Sequence, residues 1–141
     1  MLKSLFVKDY MLGDHLAFHP EDEVLHAIHT MIKHGLSGAP VADGGGRLIG
    51  FLSEKDCLKV ALNASYFEQQ AGLVREYMVK DVLAVSGDSS LLAAIEIFMT
   101  RTYRCLPVVE GDRLIGQISR REILVGLEQL RASHKTTRIR G

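Results

Sequence analysis

Ten residues near the middle of the chain, RLIGFLSEKD (47–56), return almost unchanged 66 positions later as RLIGQISRRE (113–122). The echo runs further in both directions. A shift of 67 lays VKDYMLGDHLA (7–17) on VREYMVKDVLA (74–84), Leu25, Ala27 and Ile28 on Leu92, Ala94 and Ile95, and Pro40 and Val41 on Pro107 and Val108. One residue drops out between DGGGR and EGDR, a glycine-rich turn where an insertion is cheapest, and the offset becomes 66. A lone unit of ~60 residues would be only marginally stable. The two copies in this chain of 141 residues are therefore expected to pack on each other about a pseudo-twofold axis.

Each copy reads as β-α-β-β-α. A short extended piece, HLAF (15–18) or VLAV (82–85), runs into PEDE or GDSS, whose aspartates and serines are natural helix caps. Apolar residues then recur at helical spacing: Val24, Leu25, Ile28, Met31 and Ile32, and in the second copy Leu91, Leu92, Ile95, Phe98 and Met99. After Gly35 in the first copy, a proline-containing strand (APVAD, LPVVE), a glycine turn and a second strand (RLIGFL, RLIGQI) follow, with Gly111-Asp112 suited to a two-residue hairpin. A second helix starts near Glu54 and near Arg120. The fold class is α+β, with repeats at 5–62 and 74–132, a linker at 63–73 and a flexible basic tail at 133–141.

Composition narrows the function. Seventeen basic residues balance seventeen acidic ones, so no overall field draws the chain to nucleic acid or an anionic membrane. No stretch approaches the ~20 apolar residues of a membrane helix, and the opening MLKSLFVKDYMLGD lacks the pattern of a secretion signal; a cytoplasmic protein is expected. Cys57 and Cys105 have no metal-ligand spacing and read as reduced thiols packed as small apolar groups, a disulfide being the alternative. His26 and His29, with His34 a turn later, read as helix-surface histidines, not metal ligands. There is no P-loop and no GxGxxG, and GGG (44–46) falls in a hairpin turn, so an enzyme is not expected.

The hydrophobic-x-Pro-Val strand, the turn, the RLIG strand and the G-x-hydrophobic-Ser-x-x-Asp ending, all in tandem, resemble the cystathionine-β-synthase (CBS) domain pair, or Bateman module, over residues 5–132, with Glu122 departing from the family's aspartate in the second copy. The resemblance implies a regulatory module that binds an adenosine-containing ligand (AMP, ADP, ATP or S-adenosylmethionine) in clefts between the repeats, requires no cofactor, forms a homodimer through its helices and signals to another polypeptide. It also implies the site residues. Site A would combine Ser53 and Asp56 with Val82, Leu83, Arg104, Cys105 and Leu106. Site B would combine Ser119 and Glu122 with His15, Leu16, Ser37, Gly38 and Ala39, and Arg120 stands where a phosphate would be met.

The residues support this chemistry on their own terms. A serine at a strand-to-helix junction directs its hydroxyl and the first free helix amides toward whatever lies above, an arrangement that favours phosphate. An acid one turn inside can accept from a ribose diol. The same SEKD and SRRE sequences are also capping boxes, with Glu122 the fitter cap and Asp56 the fitter ribose contact. Cys57, Leu58, Val60, Ala61 and Leu62, like Ile123, Leu124, Val125, Leu127 and Leu130, exceed one buried stripe per helix. That surplus also points to a homodimer.

Overall fold

The twofold relation written in the sequence appears in space as hydrogen bonds that occur twice. The computed structural model describes residues 4–13, 16–63 and 71–140, with side chains as far as 132. In order come a 3-10 turn (Val7–Asp9), β1 (Leu12–Gly13), α1 (Val24–His34), β2 (Gly38–Ala42), β3 (Leu48–Ser53), α2 (Glu54–Leu62), α3 (Val74–Tyr77), β4 (Val85–Ser86), α4 (Leu91–Thr100), β5 (Cys105–Glu110), β6 (Arg113–Ser119) and α5 (Arg120–Arg140). The expected hairpin is present: Glu110 pairs with Arg113 across Gly111-Asp112, and Gly111 takes the left-handed φ of 67° that such a turn requires. Helix α1 stops at Gly35, also left-handed, whose amide turns back to the carbonyls of Met31 and Ile32.

The segments that lead into the repeats are exchanged. β1 precedes the first repeat yet pairs with β6 of the second, in a four-stranded sheet ordered β1-β6-β5-β4. Leu5, Val7, Tyr10 and Met11 pack into the second repeat's core around Leu91, Phe98, Leu106 and Ile118. Val74, Tyr77 and Met78, at the start of the second repeat, join the first repeat's core with Phe18, Val41 and Leu52. The backbone bonds follow suit at an offset of 67. Val7 N–H donates to Ser89 O (2.9 Å) and Val74 N–H to Asp22 O (2.8 Å); Lys8 N–H donates to Gly87 O and Arg75 N–H to Pro20 O, both 3.0 Å. Val79 bridges Phe51 as Leu12 bridges Gln117, and Phe18 runs parallel to Val41 as Val85 does to Val108.

This crossing explains the repeated glycine of RLIG. A Cβ on Gly116 would run into the carbonyl oxygen of Leu12 and lie 2.8 Å from Met11 Sδ; one on Gly50 would lie 2.7 Å from Met78 Sδ and 3.0 Å from Val79 O. Each glycine is where the other repeat's lead-in passes over the strand. The arginine of the motif marks the axis itself. Arg47 bridges Arg113, with Leu48 N–H donating to Asp112 O (3.0 Å) and Leu114 N–H to Gly46 O (2.9 Å), one bond and its twofold image.

Two expectations change. Asp22 does not cap α1: its carboxylate accepts from His19 N–H at 2.9 Å, and the cap residue is Glu23, which makes no side-chain cap bond. The exchanged segment does that work, Gly72 O accepting from Val24 N–H at 3.0 Å. In the second repeat Ser90 caps α4 as expected, its Oγ accepting from Ala93 N–H at 3.1 Å. The other change is at the C-terminus, where α5 continues to Arg140 through the segment expected as a flexible tail. Beyond Gly126 that stretch has neither glycine nor proline to stop a helix. Among the described residues, no helix is long and apolar enough to cross a membrane.

Candidate functional site

β3 ends in Ser53, and α2 starts at the next residue. The serine Oγ accepts from Asp56 N–H (3.1 Å), while Asp56 Oδ2 accepts from both Ser53 N–H (3.0 Å) and Ser53 Oγ–H (2.8 Å). The box at α2 is complete, Asp56 filling the capping role for which glutamate is the commoner residue. Glu122 Oε1 likewise accepts from Ser119 N–H and Oγ–H, both at 2.7 Å. Asp56 is only 5% exposed, and its other oxygen faces Lys59 Nζ at 3.5 Å.

Above this helix start a cleft of about 700 Å³ opens between the repeats. Ser53 and Asp56 line it from the first repeat, and Val82, Leu83, Arg104 and Cys105 from the second, which brings together most of site A. Leu106 stays out. Neighbouring residues of a strand point to opposite faces, and with Cys105 toward the cleft, Leu106 is fully buried in the core. Lys55, Lys59, Phe51, Thr102, Tyr103 and Asp81 also line the cleft and were not anticipated. Two had a signal: Phe51 lies two before Ser53, on the same strand face, and Lys59 lies three after Asp56 on the helix. Arg104 reaches across the mouth, its Nη1 3.9 Å from Glu54 Oε1.

Site B is placed differently. Ser37 lines the first cleft, its carbonyl accepting from Glu54 N–H at 2.9 Å, because β2 runs antiparallel to β3 and so begins beside Ser53. Gly38 is paired with Ser53, and Ala39 is fully buried in the first repeat's core. Leu16 is half-buried and Arg120 exposed; His15 lies outside the described residues.

Both cysteines are free. Burial, then the nearby Asp56, pushes the Cys57 thiol up to about 11; burial, then Glu122, pushes Cys105 up to about 12. Both are neutral thiols at physiological pH, the opposite of an activated nucleophile. Alkylation by iodoacetamide is therefore expected to be slow at pH 8 in the folded protein and fast once it is denatured. Since both values are raised by folding, their stabilising contribution is full below pH 9 and is lost as pH rises through about 11 and 12. Equal alkylation rates in the folded and denatured protein at pH 8 would contradict this. His26, His29 and His34 are exposed on α1, and no cluster of three or more potential metal ligands occurs among the described residues.

The CBS domain family model matches residues 7–63 and 74–128. An inosine-5'-monophosphate dehydrogenase of Methanocaldococcus jannaschii is 30% identical over 117 residues, which are 82% of this chain and 22% of the dehydrogenase. The chain thus spans about a fifth of that relative. Among solved structures, a CBS domain-containing protein of unknown function from Bacillus anthracis is similar with a TM-score of 0.75 at 27% identity, covering 91% of this chain and 96% of that one. CBSX2, a CBS-pair protein of Arabidopsis thaliana, was solved in complex with AMP; it shares the fold with a TM-score of 0.78 at 24% identity, covering 91% and 99%.

Proposed function

Because the chain belongs to the CBS domain family, as a tandem pair, we propose that it is a regulatory module that holds an adenosine-containing ligand in the inter-repeat cleft and passes occupancy to a partner protein. The observation that carries this is the cleft itself. Its volume of about 700 Å³ is ample for a nucleotide, with apolar Val82, Leu83 and Phe51 for a base and a capped helix start with Lys55 and Arg104 for a phosphate. A protein of the same fold held AMP when it was solved. Among the described residues, three acids in the cleft, Glu54, Asp56 and Asp81, balance three bases, Lys55, Lys59 and Arg104. That balance favours a compact anion such as AMP over the more highly charged ADP and ATP; S-adenosylmethionine is the cationic candidate.

A homodimer through the helices is part of the same reading. Leu58 on α2 and its repeat-mate Leu124 on α5 are 69% and 64% exposed, and Ile32 on α1 and Met99 on α4 are 75% and 79%. Such paired apolar patches are unusual on a monomer's surface. The second reading is a module whose clefts bind nothing, favoured by the capping boxes that already satisfy Ser53, Asp56, Ser119 and Glu122.

A thermal-shift series with AMP, ADP, ATP, NAD and S-adenosylmethionine separates the two. At a hundred times its dissociation constant a ligand adds about 2.7 kcal/mol to the native state, several degrees for a domain of this size. No shift with any of them favours the second reading. Asp56→Asn retains one acceptor for the cap but turns an amide toward the sugar, so calorimetric titration is expected to show AMP affinity at least ~10-fold weaker, the scale of one hydrogen bond to a charged group.

A further inference from the structure

Glu54 lines the cleft beside Ser53, Lys55 and Arg104. It is the first residue of α2, its amide is tied to Ser37 O at 2.9 Å, and its carboxylate faces Arg104, the one arginine among the described residues that lines the cleft, at an ion-pair distance of 3.9 Å. The other cations differ in circumstance. Lys59 is engaged by Asp56 at 3.5 Å, while Lys55 follows Glu54 directly on the helix. A guanidinium is the planar fork that suits a phosphate, and here a carboxylate of the protein already faces it. Both side chains are largely exposed, at 72% and 62%, so the pair adds little to stability and separates at little cost.

We propose that Glu54 is a built-in competitor for the phosphate subsite: its carboxylate occupies Arg104 in the free protein, and a nucleotide phosphate must displace it. Glu54 thereby sets affinity according to phosphate charge and leaves recognition of the nucleoside untouched. The proposal rests on nucleotide binding in this cleft. It differs from a purely structural ion pair in requiring that loss of Glu54 strengthen binding.

The test is calorimetric titration of adenosine, AMP and ATP into the full chain as wild type, Glu54→Gln, Arg104→Gln and the double variant, with melting curves to confirm that each is folded. Glu54→Gln is expected to tighten AMP roughly three- to fivefold, the scale of an exposed charge pair, and to tighten ATP by more. Adenosine should be unchanged, the AMP gain should vanish in the Arg104→Gln background, and it should shrink at high salt, where the screening length falls to about 3 Å. The proposal is overturned by AMP affinity that is unchanged or weaker in Glu54→Gln, by an equal gain for adenosine, or by a gain that persists without Arg104. If wild type binds AMP and Glu54→Gln behaves identically, only this proposal falls. If wild type binds none of the three ligands, the nucleotide reading falls with it.

Discussion

Replacing Gly116 with alanine is expected to cost about 3 kcal/mol, the upper part of the range for forcing atoms into filled space, and to lower the thermal midpoint by roughly 10 °C. The added methyl would meet the backbone carbonyl of Leu12, which has no rotamer to escape by, as well as Met11 Sδ. The only relief is for β1 to lift off β6, breaking the pairing of Leu12 with Gln117 and Gly13 with Gly116. Gly50→Ala should be milder, since its nearest neighbour is the flexible end of Met78. Gly111→Ala is the control: nothing lies within 4 Å, and only the left-handed φ of 67° is strained, which costs about 1 kcal/mol. Melting curves for the three variants check the order. A Gly116 variant as stable as the Gly111 variant would mean that the lead-in does not cross there.

Removing the first eleven residues is expected to unfold the second repeat in preference to the first, although the deleted segment adjoins the first. Leu5, Val7, Tyr10 and Met11 belong to the core built on Leu91, Phe98, Leu106 and Ile118. Full burial of such a side chain is worth about 1.5–3 kcal/mol; Val7 is fully buried and the other three partly, so together they approach the lower end of the ~5–15 kcal/mol that holds a typical domain folded. The gap left beside Gly126, over which the Tyr10 ring lies, would expose α5 as well. Hydrogen exchange resolves the question by position. Amides of α4, β5 and β6 should lose protection ahead of those of α1, β2 and β3, and the reverse order would contradict the exchange.

How far these features could be read beforehand depends on the range of the interaction behind them. The repeat, its register and the order of elements are local, set by matching residues, helical spacing and glycine turns, and so they were legible. The exchange was not. VKDYMLGD has the same local propensity whichever repeat it pairs with, and only three-dimensional packing decides. The same limit explains Asp22, which reads as a cap until Gly72 from the other end of the exchange takes its place.

The site divides along similar lines. A motif and the shift of 67 point to Ser53, Asp56, Val82, Leu83, Arg104 and Cys105, and folding brings these six to one cleft. Leu106 shares the motif's spacing with its neighbours, but strand alternation turns it inward. Ser37 sits beside Ser53 because β2 pairs with β3, a placement that its repeat-mate does not reveal. Lys55, Thr102, Tyr103 and Asp81 carry no motif, only proximity after folding.

The crossed lead-ins have one more consequence. A chain severed between residues 63 and 71 would yield two fragments, each holding an arm that only the other can use: residues 4–13 fit the later fragment, and residues 71–79 the earlier. Mutual dependence of that kind makes reassembly of separate pieces favourable.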